Sequence, residues 1–104
     1  NATKEWLSLS RKQRSDFVET VLGPIHAKYP KVSSRMFDIE AFSADCSDMV
    51  MYETESIQEY TFLIDAIRDT KIYTVPYFEI VRILPAVEEG FVDYEKHMND
   101  PKET

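Results

Sequence analysis

The apolar residues of this chain change their spacing in a set order, and that order limits the folds open to it more than any other feature. From Ser10, whose short hydroxyl side chain suits a helix N-cap, Phe17, Val18, Val21, Leu22, Ile25 and Tyr29 recur three or four residues apart, with charged residues between them. That spacing predicts an amphipathic helix. Gly23-Pro24 is expected to kink it or tighten its last turns, and Pro30 to end it, because the residue before a proline avoids the helical region. Val32 to Glu40 then alternates as a strand does, with Arg35, Phe37 and Ile39 on one face and Ser34, Met36, Asp38 and Glu40 on the other. A small-residue connection from Ala41 to Cys46 leads to a second alternating run, Asp48 to Glu53, so the two runs should pair as a hairpin. Ser56 with Glu59 makes a capping-box pair that opens a second helix, whose expected buried stripe is Ile57, Tyr60, Leu63, Ile64 and Ile67, up to about Asp69. Beyond Pro76, Tyr77 to Leu84 reads as a third strand that Pro85 stops, and Val87 to Tyr94 as a short turn of helix.

Helix, strand, strand, helix, strand is the β-α-β-β-α-β ferredoxin-like order with its first strand missing from the sequence. Such a fold is an α+β antiparallel sheet with both helices on one face. The other face then needs a cover. Two copies packed face to face would supply it and enclose a cavity, the arrangement of a dimeric α+β barrel, so a homodimer is expected. With 104 residues there is material for one core, expected over residues 1–94, followed by a polar tail at 95–104.

Charge narrows the partners. Twelve basic against nineteen acidic residues give a net charge of −7, which repels phosphate backbones and anionic headgroups, so neither nucleic acid nor membrane is an expected partner. No apolar run is long enough for a transmembrane helix and no secretory leader stands at the start, so the cytoplasm is the expected compartment. A lone Cys46 leaves no internal disulfide, and no His or Cys pair has metal-ligand spacing; no metal is expected. With Gly23 and Gly90 the only glycines there is no phosphate-cradling loop, and no cofactor is expected.

At Trp6-Leu7, Phe37-Asp38-Ile39-Glu40-Ala41-Phe42, Cys46-Ser47-Asp48, Glu53-Thr54, Tyr77-Phe78-Glu79 and Pro85-Ala86-Val87-Glu88 the chain resembles the darcynin family of small bacterial proteins. The likeness runs from about Trp6 to Tyr94. It implies an α+β barrel relative with an apolar strand ahead of the Trp-Leu pair, and hence that this sequence lacks that strand. It implies no catalytic residues.

Chemistry must therefore be sought among polar side chains on expected strands: Arg35, Asp38, Asp48, Tyr52, Tyr77, Glu79 and Arg82. In a covered sheet such charges must be paired, and a structural network, Arg35 or Arg82 with Glu79 or Asp48 across strands, would account for them. The functional reading takes Glu79, Asp38 and Asp48 as candidate catalytic carboxylates, with pKa values raised in a partly apolar cavity. Arg35, Tyr52, Tyr77 and Arg82 are then the candidate ligand-binding groups for an anionic or phenolic small molecule. Binding or cofactor-free proton transfer, isomerisation or oxygenation would suit such a pocket, and a non-catalytic homodimeric binding or interaction module is the alternative. Tyr52, Tyr60, Tyr73, Tyr77 and Phe78 could be pocket walls or plain packing. Which strand face lines the pocket depends on register, since a one-residue slip inverts the faces.

Overall fold

Backbone groups at a helix start must find acceptors, and the first two helices begin where short hydroxyl side chains supply them. A computed structural model describes residues 1–99. Thr3 accepts from the backbone N–H of Trp6 to open α1 (Lys4–Leu7), and Ser10 opens α2 (Arg11–Phe17). At Ser10 the box is reciprocal: the Gln13 N–H donates to Ser10 Oγ at 3.1 Å, and the Ser10 N–H donates to Gln13 Oε1 at 2.8 Å. The helical path continues through a π turn, Val18–Leu22, into α3 (Gly23–Lys28). The Gly23-Pro24 step thus widens the helix rather than tightening it: proline has no N–H for an ordinary helical bond, and the Gly23 N–H reaches back to the Val18 carbonyl.

Strands β1 (Val32–Asp38) and β2 (Asp48–Thr54) pair antiparallel from Val32 opposite Thr54 to Asp38 opposite Asp48. The expected hairpin is present, and the Ile39 N–H bonds the Ser47 carbonyl at 2.8 Å where the strands run into the loop. Ser56 caps α4 (Ile57–Arg68), accepting from the Glu59 N–H at 3.2 Å. The Ser56 N–H is taken by Thr54 Oγ1 at 3.0 Å, so the Glu59 side chain is not needed for the second half of the expected box. A short α5 (Lys71–Thr74) follows, capped by Thr70, and α6 (Gly90–Asn99) ends the described chain. That helix runs past Tyr94, so the expected polar tail at 95–104 begins as helix, and residues 100–104 lie outside the described residues.

Core and layers follow from α4. Val32, Leu63, Ile67 and Ile72 are buried together, with Phe17, Leu22, Ile25 and Tyr29 of the first helical stretch packed against them. Leu63 and Ile67 bear out the expected stripe, while Ile57, at the solvent-facing first turn, is 75% exposed. Tyr52 of β2 stacks on His26 of α3 and meets the Tyr60 ring of α4, so both helical segments lie on one face of the hairpin. The result is a mixed α and β fold with a two-stranded antiparallel sheet.

The third strand expected over Tyr77–Leu84 does not form. A ladder needs a partner backbone. Among the described residues Asn1–Thr3 provides one along Tyr77–Glu79: Asn1 and Glu79 exchange N–H···O bonds at 2.6 and 2.9 Å, and the Thr3 N–H bonds the Tyr77 carbonyl at 2.9 Å. Beyond Glu79 the backbone runs without regular pairing to the start of α6. Among the described residues no helix is long and apolar enough to cross a membrane.

Candidate functional site

Register decides which polar side chains share a face. Residues directly opposed in an antiparallel pair project to the same side, and their neighbours project to the other. The helix-covered side of the hairpin, met by the helices at Val32 and Tyr52, therefore also carries Thr54, Ser34, Met36, Val50, Asp38 and Asp48, and Met36, toward the loop end, stands 69% exposed. The bare side carries Ser33, Glu53, Arg35, Met51, Phe37 and Met49. This splits the predicted set: Arg35 lies on one face, Tyr52, Asp38 and Asp48 on the other.

On the bare face Arg35 Nη2 meets Glu53 Oε1 at 2.9 Å. Both side chains are mostly exposed, so the pair contributes at most about 1 kcal/mol. Phe37 and Met49, opposite each other, are 39% and 47% exposed beside it. The expected buried charge network across strands is not what holds Arg35: among the described residues no charged side chain is buried, and its partner is Glu53, two residues along the neighbouring strand from its own register partner.

At the loop end of the helix-covered face Asp38 and Asp48 stand opposed, and Glu40 joins them, with one carboxylate oxygen from each lying within 4.8 Å of the others. Ser47 Oγ donates to Asp48 Oδ2 at 2.5 Å and accepts the Ala2 N–H at 2.8 Å. The Glu40 charge above all, and then a hydrogen bond to the Asp48 carboxyl, push the Asp38 carboxyl above the ordinary carboxylate range. Three such oxygens are hard donors of the kind that calcium or magnesium takes, but two of the three residues are exposed and no further protein ligand joins them among the described residues. Alternation puts Glu40 on the face of Asp38 in the sequence, but it is not counted among the candidate carboxylates; it lies beyond the end of β1 and still reaches the pair.

A raised folded-state value means the folded chain holds the Asp38 proton more tightly than the unfolded chain does. Its contribution favours folding below the unfolded pKa and is lost as pH rises through the folded value. Asp38→Asn is therefore expected to raise the melting temperature at neutral pH and to leave it unchanged in acid, where the parent carboxyl is already protonated. Melting curves at the two pH values check this; an equal shift at both would contradict it.

Tyr52 is half-buried between the two helical layers, 5.7 Å from the Tyr60 ring and 6.1 Å from that of His26. Burial, and secondarily the neighbouring phenols of Tyr60 and Tyr73, push its hydroxyl up to about 12, so it stays a neutral donor at physiological pH. His26 Nδ1 lies 2.8 Å from the Leu22 carbonyl; a carbonyl only accepts, so Nδ1 carries the proton and a neutral ring keeps its lone pair on Nε2. Twenty-six residues separate His26 from Tyr52 in the sequence, and the fold brings their rings together.

The remaining candidates lie apart. Tyr77 packs into an aromatic cluster with Trp6 and Phe17 at 5.3 and 5.1 Å, and it edges an open cleft of about 630 Å³ lined also by Phe17, Val21, Thr70, Lys71 and Thr74. Glu79 is tied by its backbone to Asn1, and Arg82 is exposed on the unpaired stretch that follows. The structure brings Asp38 to Asp48, while Arg35 pairs with Glu53.

A family profile described as darcynin, domain of unknown function, matches residues 1–99. The chain is 52% identical over 89 residues to Darcynin 1 of Acinetobacter baumannii, a stretch covering 86% of this chain and 99% of that protein. It is 57% identical over 75 residues to the darcynin of Chromobacterium violaceum, covering 72% of this chain and 95% of that one. A darcynin homolog of Streptomyces avermitilis is 40% identical over 90 residues, 86% of this chain and 74% of its own length. No solved structure matches the chain. Identity of this level across nearly the whole of a relative, together with a profile spanning every described residue, places the chain in the darcynin family.

Proposed function

We propose that this darcynin is a homodimer of the α+β barrel type that binds a small organic anion on the bare face of its hairpin, with the second copy closing the site. One observation carries the reading: Arg35 and its partner Glu53 sit between Phe37, Met49 and Met51 on a strand face that no helix covers. An apolar floor with one cation is the arrangement that holds an aromatic or aliphatic carboxylate, the guanidinium taking the carboxylate and the rings and thioethers taking the body. Glu53 then acts as the internal competitor that a ligand carboxylate displaces. A first strand filling the sheet beside β2, as the ferredoxin-like order requires, would widen the same floor.

Binding without turnover is the better supported form, because the groups suited to moving protons lie on the opposite face. A proton-transfer reading has its own support in the Asp38–Asp48 pair, where a carboxyl above the ordinary range hydrogen bonds a second one. That reading puts the chemistry at the hairpin tip and not beside Arg35.

The test is calorimetric titration of the chain with a panel of aromatic carboxylates, benzoate and salicylate among them, alongside light scattering for the oligomeric state. A dimer that binds a member of the panel, with Arg35→Gln weakening it by roughly tenfold or more, is the expected result, since a hydrogen bond to a charged group is worth about 1.5–3 kcal/mol. Unchanged affinity in Arg35→Gln would overturn the assignment of that face.

A further inference from the structure

We infer that the cleft between α2 and α5 is a ligand site apart from the hairpin face, and that it takes an α-amino acid with an apolar side chain. The inference needs neither the homodimer nor Arg35.

Two stretches of chain build the cleft. Gln13, Phe17 and Val21 recur at four-residue spacing along α2 and the π turn, and together they line one wall. Thr70, Lys71 and Thr74 line the other. Thr70 fixes the start of α5, its hydroxyl accepting from the Ile72 N–H at 3.2 Å and donating to the Ile67 carbonyl at 2.6 Å. The Tyr77 N–H bonds the Lys71 carbonyl at 3.0 Å, so the chain turns back on α5 and sets the Tyr77 ring edge-on to Phe17, 5.1 Å away. The space so framed is about 630 Å³, within the roughly 300–1,000 Å³ of small-molecule sites.

Charge decides what fits. Among the described residues Asp16, Asp69 and Lys71 are the charged groups that line the cleft. Asp16 is held by Lys12 at 2.9 Å, whereas Asp69 and Lys71 enter neither of the ion pairs among the described residues. A simple carboxylate would meet Lys71 and be repelled by the two aspartates; a simple amine would meet the aspartates and be repelled by Lys71. A zwitterion satisfies both signs, its carboxylate on Lys71 and its ammonium on Asp69. These two residues flank the Thr70 cap, so both charges are presented from one turn of backbone, as the two charges of an α-amino acid are presented from one carbon. Phe17, Val21 and Tyr77 then receive the side chain, which makes it an aromatic or aliphatic one.

Trp6, the one tryptophan of the chain, reports on the cleft, because its ring lies 5.3 Å from Tyr77 and 6.0 Å from Phe17. Titration of the protein with L-phenylalanine, followed by Trp6 emission and by calorimetry, is expected to saturate. The analogue without the ammonium, 3-phenylpropanoate, and the analogue without the carboxylate, 2-phenylethylamine, are each expected to bind at least about fivefold more weakly, as loss of one hydrogen bond to a charged group requires. Lys71→Met, at an exposed position, should weaken phenylalanine by the same factor, and Arg35→Gln should leave it unchanged. No saturable response to phenylalanine, or equal binding of either analogue, overturns the inference, and the analogue series uses the parent protein, so no variant has to fold for that outcome to be read. Loss of phenylalanine binding in Arg35→Gln but not in Lys71→Met would move the ligand to the hairpin face and overturn it too. A failed benzoate titration at the hairpin leaves it standing.

Discussion

Leu63→Ala is expected to remove about 3 kcal/mol or more of stability, a large fraction of the roughly 5–15 kcal/mol that holds a domain together. Leu63 has no solvent exposure and sits at the middle of α4 among Val32, Ile67 and Ile72. Truncating it loses the transfer free energy of three carbons and leaves a cavity that the surrounding helix and hairpin can only partly collapse into. The effect is large here because, among the described residues, only Val32, Leu63, Ile67 and Ile72 form the buried core. Urea denaturation followed by circular dichroism reads the loss as a fall in midpoint at unchanged slope. A loss below about 1 kcal/mol would mean that the core centre lies elsewhere.

Trp6→Ala should come next, at about 3 kcal/mol. The indole sits 6.0 Å from Phe17, 5.3 Å from Tyr77 and 5.1 Å from Phe78, so one side chain joins the start of the chain, the first long helix and the segment after α5. Arg14 strengthens the joint through its guanidinium, donating to the carbonyls of Trp6 at 3.2 Å and Leu7 at 2.9 Å. Without the indole, the short pairing of Asn1–Thr3 with Tyr77–Glu79 loses the packing that holds its two sides together. Faster hydrogen exchange at the amides of Thr3 and Glu79, with α4 still protected, is the expected signature. Trp6→Phe should restore most of that protection. Uniform loosening of α4 and the ladder together would show that Trp6 serves the whole core and not this joint.

Much of the local structure was legible in the order of residues. Ser10 and Ser56 cap where their short hydroxyls allow, Leu63 and Ile67 recur at helical spacing on one face, and the two alternating runs pair as a hairpin whose second strand begins at Asp48. Each depends on neighbours a few residues away, which is why pattern reveals them. The candidate site was less legible. Arg35, Asp38, Asp48 and Tyr52 were recognisable as polar groups on strands, but Glu53 as the partner of Arg35, and His26 as the ring against Tyr52, come from elements distant in sequence.

What the order of residues determined by itself, then, is the helices, their caps and the hairpin, because spacing and capping act through bonds between near neighbours. Tertiary structure alone decided two things. It put Val32 and Tyr52 against the helices, and that choice of face sends Arg35 to the bare side and the Asp38–Asp48 pair to the other, as the two-residue period of a strand demands. It also decided where the third run pairs: alternation makes a segment fit for a sheet, but hydrogen bonds from a second backbone make it a strand, and among the described residues those bonds join Asn1–Thr3 to Tyr77–Glu79.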